Sequence, residues 1–174
     1  FDKFYGIIGA ESSQWEPPVY DQTTPISPHV GNPDYHLTED LADQTIAWIE
    51  RQQASRPNQP FFTYFSTPAL HAPHHVAREW IDKFKGQFDG GWDVLREEIY
   101  ERQLKLGVIP PNTALTKRPE QVPAWSDYPE RYRPVASRLM ETFAGFLAHT
   151  DAQVGRVIDA LERMNIMDNT LVVY

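Results

Sequence analysis

Pro60-Phe61-Phe62-Thr63-Tyr64-Phe65 leads through Ser66-Thr67-Pro68-Ala69-Leu70 into His71-Ala72-Pro73-His74-His75. The run Phe61 to Phe65 consists of β-forming residues with almost no polar interruption, which predicts a strand covered on both faces, as in a parallel sheet. Upstream, Leu41, Thr45, Trp48, Ile49 and Gln52 mark one stripe of a helix predicted from Thr38 to Ala54. Glu39, Asp40 and Asp43 crowd its first turn, where the positive end of the helix dipole favours carboxylates. Downstream, a short helix is predicted from Arg78 to Lys85, and another from Trp92 to Leu106 with Trp92, Leu95, Ile99 and Leu106 on one side and Gly107 as a left-handed cap. The longest helix is predicted from Pro134 to Met164, where Leu139, Phe143, Phe146, Leu147, Thr150, Val154, Val157, Ile158 and Leu161 recur at spacings of three and four. Gly145 and Gly155 inside it suggest close packing or a kink. Asp168-Asn169 then turns the chain into a second predicted strand, Leu171 to Tyr174.

Helix, strand, helices, strand is the order of an α/β fold with a parallel sheet. Two strands cannot cover helices of this length, so further strands are expected outside residues 1–174, and the chain reads as a central segment cut at both ends. Sixteen Lys and Arg against 24 Asp and Glu give a net charge of −8 with no basic run, which argues against a nucleic-acid partner. A hydrophobic content of 41% is ordinary for a folded chain, and no apolar stretch is long enough to read as a membrane span. The absence of Cys removes disulfides, thiolate metal sites and a cysteine nucleophile, and with them any sulfur signature of the compartment. Fifteen Pro gather mainly in residues 17–33 and 110–134, both read as extended loops.

Ligands of open parallel sheets bind beyond the carboxyl ends of the strands. The end of the Phe61 to Phe65 run reaches three of the six His residues, and an imidazole there can give a proton to a leaving oxygen near neutral pH. His71 is the catalytic candidate, and His74 a weaker candidate for the substrate pocket. A zinc site at His71, His74 and His75 is disfavoured, because the stretch is broken by Pro and no nearby carboxylate completes the set. His29, His36 and His149 carry no particular signal, His149 being expected as a partly exposed helix residue. Asp151 and Arg156 are expected in helix packing or a surface ion pair, and Trp48, Trp92 and the strand Phe residues in packing. Trp15, Trp80 and Trp125 lie near loops and could border a pocket for an aromatic leaving group.

Several motifs in order then carry a resemblance. Phe1-Asp2-Lys3-Phe4-Tyr5-Gly6 with Glu11 to Trp15 and Pro17, Pro60-Phe61-Phe62 through His71-Ala72-Pro73, Trp92 to Arg96, Leu106 to Pro110, and Asp151 to Val157 with Asp168-Asn169-Thr170 together resemble the type I sulfatases, nearest the bacterial arylsulfatases. The resemblance implies an alkaline-phosphatase-like parallel-sheet sandwich, of which residues 1–174 would be the central part. It implies hydrolysis of small sulfate esters by a formylglycine nucleophile with a calcium ion, and it places His71 at the family histidine that contacts the ester and protonates the leaving group. The Cys/Ser-x-Pro-x-Arg sequence from which formylglycine arises is absent, since Ser66-Thr67-Pro68-Ala69-Leu70 ends in Leu rather than Arg. Nucleophile and calcium ligands are therefore expected outside the segment, Asp168-Asn169 being a turn and not a metal pair, so no metal ligand is assigned within it. A phosphonate or phosphodiester hydrolase of the same superfamily, and a noncatalytic binding module on this fold, are the alternatives.

Overall fold

The computed structural model describes residues 1–9 and 11–174. Three short antiparallel strands come first, β1 (Tyr5–Gly6), β2 (Val19–Asp21) and β3 (Thr24–Ile26), in the order β1-β2-β3. Tyr5 pairs with Asp21, and Asp21 with Thr24 across a two-residue turn whose first residue, Gln22, is left-handed at φ 57°. Gln22 is held there from both sides: its amide donates to the Phe4 carbonyl at 2.9 Å, and its side-chain oxygen accepts from the Phe4 amide at 2.8 Å. Pro25 is tolerated because β3 lies at the sheet edge, where a missing N–H breaks no ladder. The reading of residues 17–33 as loop misses β2 and β3, because each is too short for its alternation to register.

Four helices follow: α1 (Leu37–Ser55), α2 (Arg78–Asp82), α3 (Gly91–Leu106) and α4 (Arg133–Arg163), with 3-10 turns at Glu130–Tyr132 and Met167–Asn169. The three long helices start and stop within about a residue of their predicted ends. α3 stops as anticipated: Gly107 sits at φ 70°, the Val108 amide reaches back to the Gln103 carbonyl at 3.0 Å and the Gly107 amide to Leu104 at 3.2 Å, satisfying carbonyls the helix leaves open. α4 is one continuous helix of 31 residues, about 46 Å long at 1.5 Å per residue. A Cβ at Gly155 would meet nothing within 4 Å, so that glycine does not serve close packing.

The parallel sheet is the expectation that the structure does not bear out: the sheet among the described residues is small and antiparallel. Residues 61–65 and 171–174 form no ladder, and Phe62 and Tyr64, expected to be buried, are 72% and 74% exposed. Composition expresses a preference for extended backbone, but a strand exists only where a neighbour supplies the matching N–H and C=O groups. Phe61 and Phe65 still pack inward, Phe61 edge-on to Trp48 at 6.2 Å between ring centroids.

The chain divides into two compact units, residues 1–80 with 146–174, and residues 81–145. In the first, Val19, Tyr35, Leu37 and Leu41 form a core against which Tyr5, Ile7, Ile26 and Phe65 pack. The hydroxyls of Tyr5 and Tyr35 both donate to Asp40 Oδ2, at 2.6 and 2.8 Å, and burial followed by that carboxylate raises both phenol pKa values. α4 contributes Phe146, Ala160 and Leu161, all buried, whereas Leu139, Phe143 and Leu147 of the predicted stripe are exposed. Arg156 pairs with Asp43 at the surface, which fits the second of the two roles expected for it, helix packing or a surface ion pair.

The second unit is organised around Trp125. Its ring packs on Trp92 at 4.6 Å and stacks on Tyr128 at 5.9 Å, while its amide donates to Asp93 Oδ2 at 2.8 Å. That backbone hydrogen bond, followed by one from Arg118, lowers the Asp93 pKa. Trp92 donates its indole N–H to the Pro123 carbonyl at 3.0 Å, so both tryptophans serve packing. Glu141 accepts from Arg138 at 2.7 Å and from the Gly86 amide at 2.7 Å, and its pKa is lowered, chiefly by Arg138. No helix among the described residues is long and apolar enough to cross a membrane.

Candidate active site

The loop from Pro68 to His75 is built from tight turns: the His71 amide donates to the Pro68 carbonyl and the His75 amide to the Pro73 carbonyl, each at 2.9 Å. The Ala69–Leu70 and Ala72–Pro73 peptide bonds are cis. Within this loop the His71 side chain is 51% exposed, so the ring meets solvent and not a closed apolar core. Its Nδ1 lies 2.8 Å from the Ala72 carbonyl oxygen. A carbonyl can only accept, so Nδ1 carries the hydrogen and Nε2 is the nitrogen left to exchange a proton.

A carboxylate does stand nearby, contrary to the sequence reading: Glu11 Oε1 is 3.8 Å from His71 Nδ1. Both groups are well exposed, so the pair contributes little to stability. His74 is half-buried, its ring 6.3 Å from that of Phe146 on α4. His75 Nδ1 accepts the Gln14 amide at 3.4 Å, and the Trp15 ring stacks on His75 at 6.2 Å. Segment 11–15 therefore runs beside the histidine loop, meeting His71 through Glu11 and His75 through Gln14 and Trp15.

Two further histidines enter the same cluster. His36 is 4% exposed and caps α1, its Nδ1 accepting the Thr38 amide at 3.2 Å while its Nε2 lies 3.1 Å from the His75 carbonyl. Contrary to expectation, His149 is not partly exposed but 1% exposed, its Nε2 2.8 Å from Glu39 Oε1 and its ring 4.2 Å from that of His36. Trp80 packs edge-on against His149 at 5.3 Å, and Trp15 combines an exposed surface with contact to the histidine loop. Both missed histidines had a sequence signal. His36 stands immediately before the helix with Glu39 three residues on, the spacing of a capping box. His149 lies three residues after Phe146 and four before Gln153, on the buried face of α4.

Burial, followed by the neighbouring His149, lowers the His36 pKa from 6.5 to about 4. The unfolded chain takes up this proton near pH 6.5 and the folded chain only near pH 4, so the stability held above pH 6.5 falls as pH drops through that window. Denaturant midpoints measured from pH 7 down to pH 4 are expected to decline for the wild type, and less steeply for His36→Asn, which has no imidazole to protonate.

Among the described residues no group of three or more His, Asp or Glu could hold a metal ion. The donor set of the described residues therefore does not fit a calcium site, and the sequence, with no Cys and no Cys/Ser-x-Pro-x-Arg motif, holds no precursor of a formylglycine.

Residues 1–174 match the sulfatase family profile, so the chain belongs to the sulfatase family. Membership carries an alkaline-phosphatase-like α/β fold, although the sheet described above is antiparallel. An uncharacterized sulfatase of Schizosaccharomyces pombe (strain 972) is 29% identical over 163 residues, 91% of this chain and 28% of the relative. An arylsulfatase of Klebsiella aerogenes is 29% identical over 141 residues, 81% of this chain and 30% of the relative. The chain thus spans less than a third of the length of these curated relatives.

Proposed function

We propose that residues 1–174 are the central part of a sulfuric ester hydrolase of arylsulfatase type, in which His71 donates a proton to the departing alcohol or phenol. The observation that carries this reading is the state of the His71 ring: Nδ1 is tied to the Ala72 carbonyl, which leaves Nε2 for a proton, and the side chain is 51% exposed on the loop beyond Phe65. As the sulfur–oxygen bond of the ester breaks, negative charge builds on the bridging oxygen. Transfer of the Nε2 proton to that oxygen releases a neutral alcohol and leaves a neutral imidazole. The Nδ1 hydrogen bond is the same before and after the transfer, so the ring need not turn to change protonation state.

His74, three residues further on, is proposed as a second contact for the substrate. A formylglycine nucleophile would accept the sulfuryl group and a calcium ion would neutralise its oxygens, both held by residues outside 1–174. In the parallel-sheet sandwich proposed for the full protein, residues 61–65 and 171–174 find their strand partners among those outside segments.

Turnover of an aryl sulfate by the full protein should exceed that of the matching phosphate diester by at least about a hundredfold, about 3 kcal/mol in the barrier. A preference for the diester would assign the protein instead to phosphodiester hydrolysis, and turnover of neither would make it a binding module.

A further inference from the structure

The His71–His75 loop is not held by its own turns alone. The residue that ends it, His75, is gripped at three points, and two of them lead to the start of α1. His75 Nδ1 receives the Gln14 amide at 3.4 Å, and Gln14 in turn accepts the Leu37 amide on its carbonyl at 2.8 Å and the Thr38 hydroxyl on Oε1 at 3.0 Å. The His75 carbonyl lies 3.1 Å from His36 Nε2. The His75 ring lies under that of Trp15, which also meets His36 edge-on at 5.0 Å.

The His36 ring has one arrangement of hydrogens that satisfies both of its partners. The Thr38 amide can only donate, so Nδ1 is a bare acceptor; the His75 carbonyl can only accept, so Nε2 carries the hydrogen. One neutral imidazole therefore serves the helix start with one nitrogen and the loop with the other. Trp15, Phe146 and His149 enclose the ring, which keeps water from replacing either bond.

We infer that His36 is a positioning residue, tying the loop that presents His71 to the rigid start of α1 through the His75 carbonyl. The inference rests on the proposed role of His71 for its catalytic consequence, but the tether itself is readable without activity. The two nitrogens can be separated by substitution. In His36→Asn the short side chain places an oxygen where Nδ1 was, among the best caps for a helix start, but reaches no further. In His36→Gln the amide nitrogen falls near the position of Nε2 and can donate to the His75 carbonyl, while the cap is lost.

Hydrogen exchange and kinetics on the full protein test this together. For His36→Asn, the His71 and His75 amides should exchange about five to ten times faster than in the wild type, as expected for loss of one hydrogen bond, with α1 amides unchanged. Its turnover of an alkyl sulfate should fall about tenfold relative to 4-nitrophenyl sulfate, a ratio that a merely structural defect would leave alone. His36→Gln should restore both the loop exchange and the ratio while lowering the unfolding midpoint. Wild-type loop exchange in His36→Asn overturns the tether, as does failure of His36→Gln to restore it; His36→Gln also decides the matter should His36→Asn not fold. If loop exchange rises in His36→Asn but His71→Ala shows no dependence on the leaving group, the tether stands and only the role given to His71 falls.

Discussion

His71→Ala in the full protein should lower kcat/KM for sulfate esters of poor leaving groups by about 100- to 10,000-fold, while esters of acidic phenols lose much less. The asymmetry follows from where the charge goes. An alcohol of high pKa cannot leave as its anion at neutral pH, so in the proposed mechanism a proton from His71 Nε2 would carry much of the barrier lowering. A nitrophenol leaves as a stable anion and needs no such help. Measuring kcat/KM across a series of alkyl and aryl sulfates separates this role from a general one in binding, because loss of a binding contact would depress every substrate alike. A uniform loss across the series would take the proton-donor role away from His71. The ring is well placed for the test, since its side chain is exposed, hydrogen-bonded through Nδ1 to the Ala72 carbonyl and beside Glu11. Its removal opens no cavity in the core, and folding should survive.

Gly91→Ala should destabilise the fold through a steric clash. Gly91 adopts φ 80°, where an L side chain costs about 1–2 kcal/mol, and a Cβ added there would stand 2.2 Å from Cγ and Cδ2 of Trp125. Trp125 cannot give way cheaply: its ring is packed on Trp92 and Tyr128, and its amide is fixed to Asp93. Overpacking of this kind typically costs a further 1–3 kcal/mol, so a total of about 3 kcal/mol is expected from denaturant unfolding. Because the damage centres on Trp125, its fluorescence should report the loss. A change below about 0.5 kcal/mol would mean that the close approach of Gly91 to Trp125 is not as described.

The contrast between what could and could not be read from the sequence has physical causes. α1, α3 and α4 were legible because a helix closes its own hydrogen bonds, so local periodicity, an acidic first turn or a terminal glycine suffices to place it. The Phe61 to Phe65 run was legible only as a preference, since a strand is completed by a partner distant in sequence. The strands at Val19 and Thr24 escaped notice because two or three residues are too few to show alternation. At the candidate site, His71 stood out through its place after an apolar run and its His-x-Pro setting. His36 and His149 are hard to read from the sequence because a histidine is usually polar surface, and their importance comes from burial and from partners far along the chain, Glu39 for His149 and His75 for His36. Glu11 likewise reaches His71 only through the fold.

The central claim is that the departing oxygen receives a proton from His71 Nε2 as its bond to sulfur breaks. The most direct measurement is the isotope effect of bridging-oxygen-18 on kcat/KM for an unactivated phenyl sulfate, in the wild type and in His71→Ala. Protonation in the transition state offsets the loss of bonding to the bridging oxygen, so a small effect is expected in the wild type and a distinctly larger one in the variant. Equal effects in the two proteins would contradict the account.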